Sequence, residues 1–103
     1  MKRKKTRRYR PHIRRQDLIE VAIQLACGGH YLKVTRDSIA ALVGCTRGLV
    51  SHYLGKADQM RDTIVIAALQ QENLAVIAQA LSAKHWAVAA LPEGLRVRAR
   101  ESL

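Results

Sequence analysis

Thr46, Arg47, Gly48, Ser51 and His52 bring small polar groups, a guanidinium and an imidazole together within a short stretch of the folded part of the sequence. On a helix they share one face, with hydrogen-bonding groups, a guanidinium and no carboxylate. A guanidinium can donate to O6 and N7 of one guanine together, so this chemistry suits reading a nucleic acid. Catalytic chemistry is not signalled. The eight acids are scattered, no Gly-rich phosphate loop appears, and no motif pairs Ser, His and Asp or Cys and His. Cys45 and His52 lie one helix apart, but Cys45 occupies a core position. His12, His30, His52 and His85 lack ligand spacing and CxxC is absent, so neither metal nor cofactor is expected. The expectation is a non-enzyme.

Such a face must be held by two crossed helices. Thr35 stands where an N-cap belongs, with Arg36 to Val43 helical behind it. Gly44 and Cys45 form the turn, and Thr46 caps a further helix through Leu54. Ala40 supplies the small residue for the crossing, and Gly44 tolerates the positive φ of the turn. Ile39, Val43, Cys45, Val50 and Tyr53 are apolar at the positions that anchor both helices. Thr35 to Leu54 therefore reads as a helix-turn-helix. Before it, Leu18, Ile19, Ala22, Ile23, Leu25 and Ala26 make an apolar stripe that predicts a helix over Gln16 to Cys27. The pair Gly28-Gly29 predicts a left-handed end to that helix, with His30 to Val34 as connector. After it, Gly55 closes the third helix and Asp58 is the predicted cap of the fourth. No Gly or Pro interrupts Gln59 to Leu91, and a break near Ser82 would divide that stretch into two helices. Pro92 and Gly94 end it. The tail over 95–103 is basic at Arg96, Arg98 and Arg100.

The whole chain has 103 residues, 49% of them hydrophobic, only 4% aromatic, and no Phe. This Ala/Leu/Ile/Val-rich profile favours an all-α fold in a single small domain. Eighteen Lys and Arg oppose eight acids, for a net charge of +10. Half of those cations fall in residues 1–15, among them Arg3, Lys4, Lys5, Arg7, Arg8 and Arg10, with no acid between them. The plan is a basic arm, then a nearly balanced body, and it implies a polyanionic partner. The arm could track phosphates, enter the minor groove, or attract any polyanion, with Tyr9 available to stack on a base. We expect it to add affinity more than sequence information. Cys27 and Cys45 are expected as free buried thiols in a reducing cytoplasm. The basic start does not continue into a signal-peptide core, and the longest apolar run, Ile64 to Leu69, is too short to span a bilayer.

The segment from Ile19 to Met60 resembles the DNA-binding domain of TetR-family transcriptional regulators. The likeness runs through Arg15, the Ile19/Ala22/Leu25 stripe, Thr35-Arg-Asp-Ser-Ile39-Ala40, Gly44-Cys-Thr-Arg-Gly48 and His52-Tyr53-Leu54. It departs at Ser51, where an aromatic is common, at Leu54 in place of Phe, and at Ala57 in place of Lys, with Lys56 one position early. The resemblance implies a three-helix head over 16–57 that contacts DNA. Candidate contacts are Thr35 and Arg36 at the second helix, Thr46, Arg47, Gly48, Ser51, His52 and Tyr53 on the third, and Lys56. Tyr53 is expected mainly as packing, with a hydroxyl able to reach a phosphate. Family members carry a longer helical domain enclosing a ligand pocket. The short remainder here resembles the compact plasmid- and phage-encoded regulators of the ArdK type, for which no small-molecule inducer is expected.

The region 58–91 is read as a helical dimerisation unit and 92–103 as a basic tail. Ile64, Ala67, Leu74, Ile77, Ala78, Leu81 and Trp86 are the predicted dimerisation residues, because the apolar stripe is wider than one face. The expectation is a cytoplasmic, nucleoid-associated homodimeric repressor on a palindromic double-stranded DNA operator. The alternative is a nonspecific RNA-binding or nucleoid-type protein driven by its arm.

Overall fold

A computed structural model of the chain describes residues 13–89 and 91–101. Within them the fold is all-α. Six α-helices follow in order: α1 Arg15–Cys27, α2 Arg36–Val43, α3 Arg47–Leu54, α4 Ala57–Gln70, α5 Leu74–Ser82 and α6 Glu93–Glu101. Short 3-10 turns lie at Tyr31–Lys33 and Trp86–Val88. The arm cations Arg3, Lys4, Lys5, Arg7, Arg8 and Arg10, with Tyr9, lie outside the described residues. Arg15 already belongs to α1, and Ile13 is buried in the core, so the folded body begins earlier than residue 16.

The core is built where the sequence stripes meet. Leu18, Ile19, Ala22, Ile23 and Ala26 of α1 pack with Ile39 and Ala40, Val50 and Leu54, and Met60, Ile64 and Val65. Ala40 is buried at the α2–α3 crossing, and Gly44 closes α2 at φ 85°. There its N–H and that of Cys45 both donate to the Ala40 carbonyl, at 2.8 and 3.0 Å. Thr35 Oγ1 accepts from Ser38 N at 3.0 Å, and Thr46 Oγ1 from Leu49 N at 3.1 Å, so both predicted caps are in place.

Several expectations are corrected. Gly28 is right-handed, at φ −80°, because α1 ends without a left-handed residue. Its end is closed by the following amides, Gly28 N to Gln24 O at 3.1 Å and Gly29 N to Ala26 O at 3.2 Å, and Gln79 Nε2 of α5 adds bonds to Ala26 O at 2.9 Å and to Gly29 O at 3.3 Å. The cap of α4 is not Asp58. Lys56 occupies that position, and its N–H donates to Gln59 Oε1 at 2.9 Å. The long stretch without Gly breaks first at 71–73, where Glu72 takes φ 53°, and again after Ser82, where Lys84 takes φ 58°. Each break closes with the same pair of bonds: Asn73 N to Ala68 O and Glu72 N to Leu69 O, then His85 N to Ala80 O and Lys84 N to Leu81 O. These are Schellman endings with a charged residue where glycine is usual. Gly94 lies inside α6 rather than ending a helix.

The predicted dimerisation set is mostly interior. Ile64, Ala67, Ile77 and Ala78 are buried within this chain, and Leu74 and Leu81 are half-buried. The wide stripe is covered by the chain's own tail: Ala99 of α6 is fully buried against Ile77 and Ala78, with Leu69, Leu74, Leu81, Leu91 and Leu95 around them. Arg96 secures the connection, donating to the carbonyls of Val88, Ala89 and Leu91 at 3.3, 2.8 and 3.3 Å. Only Trp86 of that set is on the surface, 63% exposed, with its indole N–H donating to Asp62 Oδ1 at 3.3 Å. Both thiols are free, but Cys27 is exposed rather than buried, and Cys45 is half-buried. Burial pushes the Cys45 thiol above its usual pKa.

Candidate nucleic-acid interface

The amphipathic division of α3 decides what it presents. Val50 and Leu54 are buried, and Leu49 and Tyr53 pack partly on the core. That orientation leaves Thr46, Arg47, Gly48 and His52 exposed on the other side. Arg47 opens the helix, its side chain 60% exposed and its Nε 3.8 Å from Asp37 Oδ1 of α2. An ion pair this open contributes little to stability, so the guanidinium can exchange the carboxylate for another acceptor. His52 is exposed, and its ring meets that of Tyr53 edge-on at 5.2 Å.

Two residues expected on the exposed face are already engaged. Ser51 is half-buried and its Oγ accepts from Arg36 Nη1 at 2.9 Å. Arg36 thus ties the start of α2 to the middle of α3 and sets the presentation of the polar face. Tyr53 is half-buried, and its hydroxyl donates to Ile13 O at 3.4 Å, which joins α3 to the segment entering α1. Thr35 and Lys56 are exposed at the starts of α2 and α4.

The structure adds Asp37 and Arg61 to this neighbourhood. With Thr35, Arg36, Arg47 and Ala57 they line an open groove of about 230 Å³. Arg61 Nη1 is 3.6 Å from Asp58 Oδ1, while its Nε is buried without a hydrogen-bond partner among the described residues. Sequence spacing places Arg61 one turn beyond Ala57 on α4, but only the packing of α4 against the head brings it to the groove that Thr35 also lines. Deeper in the same region, burial raises the Tyr31 phenol above its ordinary pKa; Asp62 adds to that, and Arg61 opposes it.

Gly48 has no structural need to be glycine. Its φ is not positive, and an added Cβ would meet only Thr46 Oγ1, at an ordinary 3.8 Å. Since glycine in a helix costs roughly 0.5–1 kcal/mol relative to alanine, Gly48→Ala is expected to raise stability by up to that amount. The added methyl would stand on the exposed face, so on the reading that this face meets nucleic acid, affinity is expected to fall while the thermal midpoint rises. Paired melting and binding curves check the opposite signs, and a stabler variant with unchanged binding would remove Gly48 from the interface.

Among the described residues, no group of three or more His, Cys, Asp or Glu could hold a metal ion, and no helix is long and apolar enough to cross a membrane. The site and fold define a small all-helical protein with a helix-turn-helix-like pair, α2 and α3, at one end of its core. Set against protein-family models, curated proteins and solved structures, the chain matches none of them.

Proposed function

We propose that this chain is a sequence-specific DNA-binding transcriptional regulator, with α3 entering the major groove. The observation that carries the proposal is the exposed Arg47–Gly48–His52 face of a capped helix whose opposite face is locked into the core. The net charge of +10 supports a polyanionic target. Arg47 is assigned to a base edge, Thr46, Thr35 and Lys56 to the phosphate backbone, and His52 to the groove. Arg36, Ser51 and Tyr53 hold α3 in place and border the contact. The arm residues Arg3, Lys4, Lys5, Arg7, Arg8 and Arg10 add phosphate contacts.

The protein is further proposed to act in the bacterial cytoplasm as a homodimeric repressor of the plasmid-encoded type, on an inverted repeat and without a small-molecule inducer. The twofold element rests on the geometry of DNA. One eight-residue helix spans few base pairs, and helix-turn-helix proteins reach selectivity by pairing half-sites about one helical turn apart. The pairing surface must differ from the residues now found in the core.

Selection of binding sites from random duplexes by the full-length chain, at near-physiological salt, tests the proposal. Enrichment of an inverted repeat is the expected result. Retention of the pool without enrichment would replace the proposal with the second reading, nonspecific nucleic-acid binding through the arm, which the nine cations of residues 1–15 favour. Deleting residues 1–12 separates the two further. Weaker binding with its sequence preference intact is expected, whereas loss of essentially all binding would favour the arm-driven reading.

A further inference from the structure

Ile13 stands just before the cap of α1, and three separate contacts hold the backbone there. Its side chain is buried in the core. Its carbonyl accepts from the Tyr53 hydroxyl at 3.4 Å, across forty residues of sequence. The next amide, Arg14 N–H, donates to Asp17 Oδ2 at 2.9 Å and opens α1. Of the three, the Tyr53 bond leads to the polar face of α3. Tyr53 is the last residue but one of that helix, and its ring meets the ring of exposed His52 edge-on at 5.2 Å. The His52 ring, the Tyr53 ring and the Ile13 carbonyl thus form a contiguous series, from the side proposed to face the groove to the point where the chain enters α1.

We infer that Tyr53 is a positioning residue that ties the root of the basic arm to α3, so that arm and helix address the same stretch of DNA. The inference rests on the DNA-binding reading and adds to it the device that aims the arm. A fixed root limits reach, because an extended chain covers at most about 3.3–3.6 Å per residue. From Ile13, Arg10 is three residues away, or roughly 10 Å, and Arg7 is six away, or roughly 20 Å. One helical turn of DNA is about 34 Å. Arg7, Arg8 and Arg10 are therefore confined to phosphates near the C-terminal end of α3, within the half-site that this helix enters. Tethering at so short a distance gives those cations a high effective concentration at the phosphates. The Tyr53 hydroxyl serves the contact by holding Ile13, and is not itself a phosphate ligand.

The test is a double-mutant cycle in the full-length chain. One change is Tyr53→Phe, which keeps the packed ring and removes the hydroxyl. The other is Arg7→Gln, Arg8→Gln and Arg10→Gln together. Affinity is measured for the wild type, each variant and the combination, on a selected duplex and on a random one. With the native arm, Tyr53→Phe is expected to lower affinity about threefold, the lower end for one hydrogen bond. Once the three arginines are gone, it should lower affinity by much less. Equal losses in both backgrounds, or no loss in either, would overturn the inference; the hydroxyl would then contact a phosphate itself, serve the head alone, or do nothing for binding. A second measurement decides the matter should Tyr53→Phe not fold. Phosphates whose ethylation weakens the wild type but not the triple arginine variant should form one group, on a single flank of each selected half-site. Such phosphates on both flanks would also overturn the inference. The cycle on the random duplex reads the tether by affinity alone, so an additive result there is distinct from a wild type that prefers no sequence.

Discussion

Arg47→Ala is expected to erase most of the discrimination between a selected duplex and a random one while leaving much of the affinity. A bidentate contact between arginine and guanine is worth about 1–3 kcal/mol of discrimination, whereas on the proposed reading affinity is spread over phosphate contacts of arm and head. The substitution is well suited to the question because it costs the fold little. The side chain is 60% exposed, and its partner Asp37 is 74% exposed at 3.8 Å. Thr46, not Arg47, supplies the side-chain cap of α3. Competition binding with the two duplexes measures the ratio directly. An unchanged ratio would show that the start of α3 does not read bases and would move Arg47 to the phosphate side.

The second large effect concerns the fold. Ile77 is fully buried in a cluster with Ala78 and Ala99, between α5 and α6. Truncation to alanine there is expected to cost about 2–5 kcal/mol, from lost burial and the cavity left behind. That is a large part of the stability of a small domain, about 5–15 kcal/mol in general. Ile77→Asp should abolish cooperative folding, because a carboxylate in that cluster would be buried without a partner. Trp86→Ala, on the exposed side of the same region, should change stability by no more than about 1 kcal/mol. Thermal denaturation followed by circular dichroism, with sedimentation on the same samples, checks both. If Ile77→Asp yielded a well-folded chain of altered oligomeric state, residue 77 would belong to an interface after all, and the burial by α6 would not hold in solution.

These two predictions lie on either side of the boundary between what is local and what is not. The helix-turn-helix-like pair was legible because its signals are local. Thr35 and Thr46 cap their own helices, Ala40 and Gly44 meet steric needs within a few residues, and of the expected anchors Ile39 and Val50 are buried, with Val43, Cys45 and Tyr53 packed partly against the core. The exposed positions of Arg47, Gly48 and His52 follow from that same spacing. A helix with one apolar face has only one way to turn toward a core.

The second half was less legible, for physical reasons that periodicity does not record. A Schellman ending with Glu72 in the left-handed position carries no glycine to announce it, so the break at 71–73 was masked, whereas the break near Ser82 stands where the sequence suggested it. The end of α1 closes through the Gly28 and Gly29 amides without a left-handed residue, and takes an added bond at Ala26 O from Gln79, a residue of α5 distant in sequence. A wide apolar stripe states that two faces must be covered, but not by what. Here the covering is α6, whose basic sequence conceals one buried methyl, Ala99, and one guanidinium that caps three carbonyls. Arg36 against Ser51, and Arg61 and Thr35 on one groove, likewise depend on helices meeting in space. The sequence by itself determined the helices of the head, their caps and the polar face of α3, because backbone sterics and amphipathic spacing act over a few residues. Only the tertiary structure decided which apolar faces became core and which cations converged on one groove, because burial and electrostatics are properties of neighbours brought together by folding.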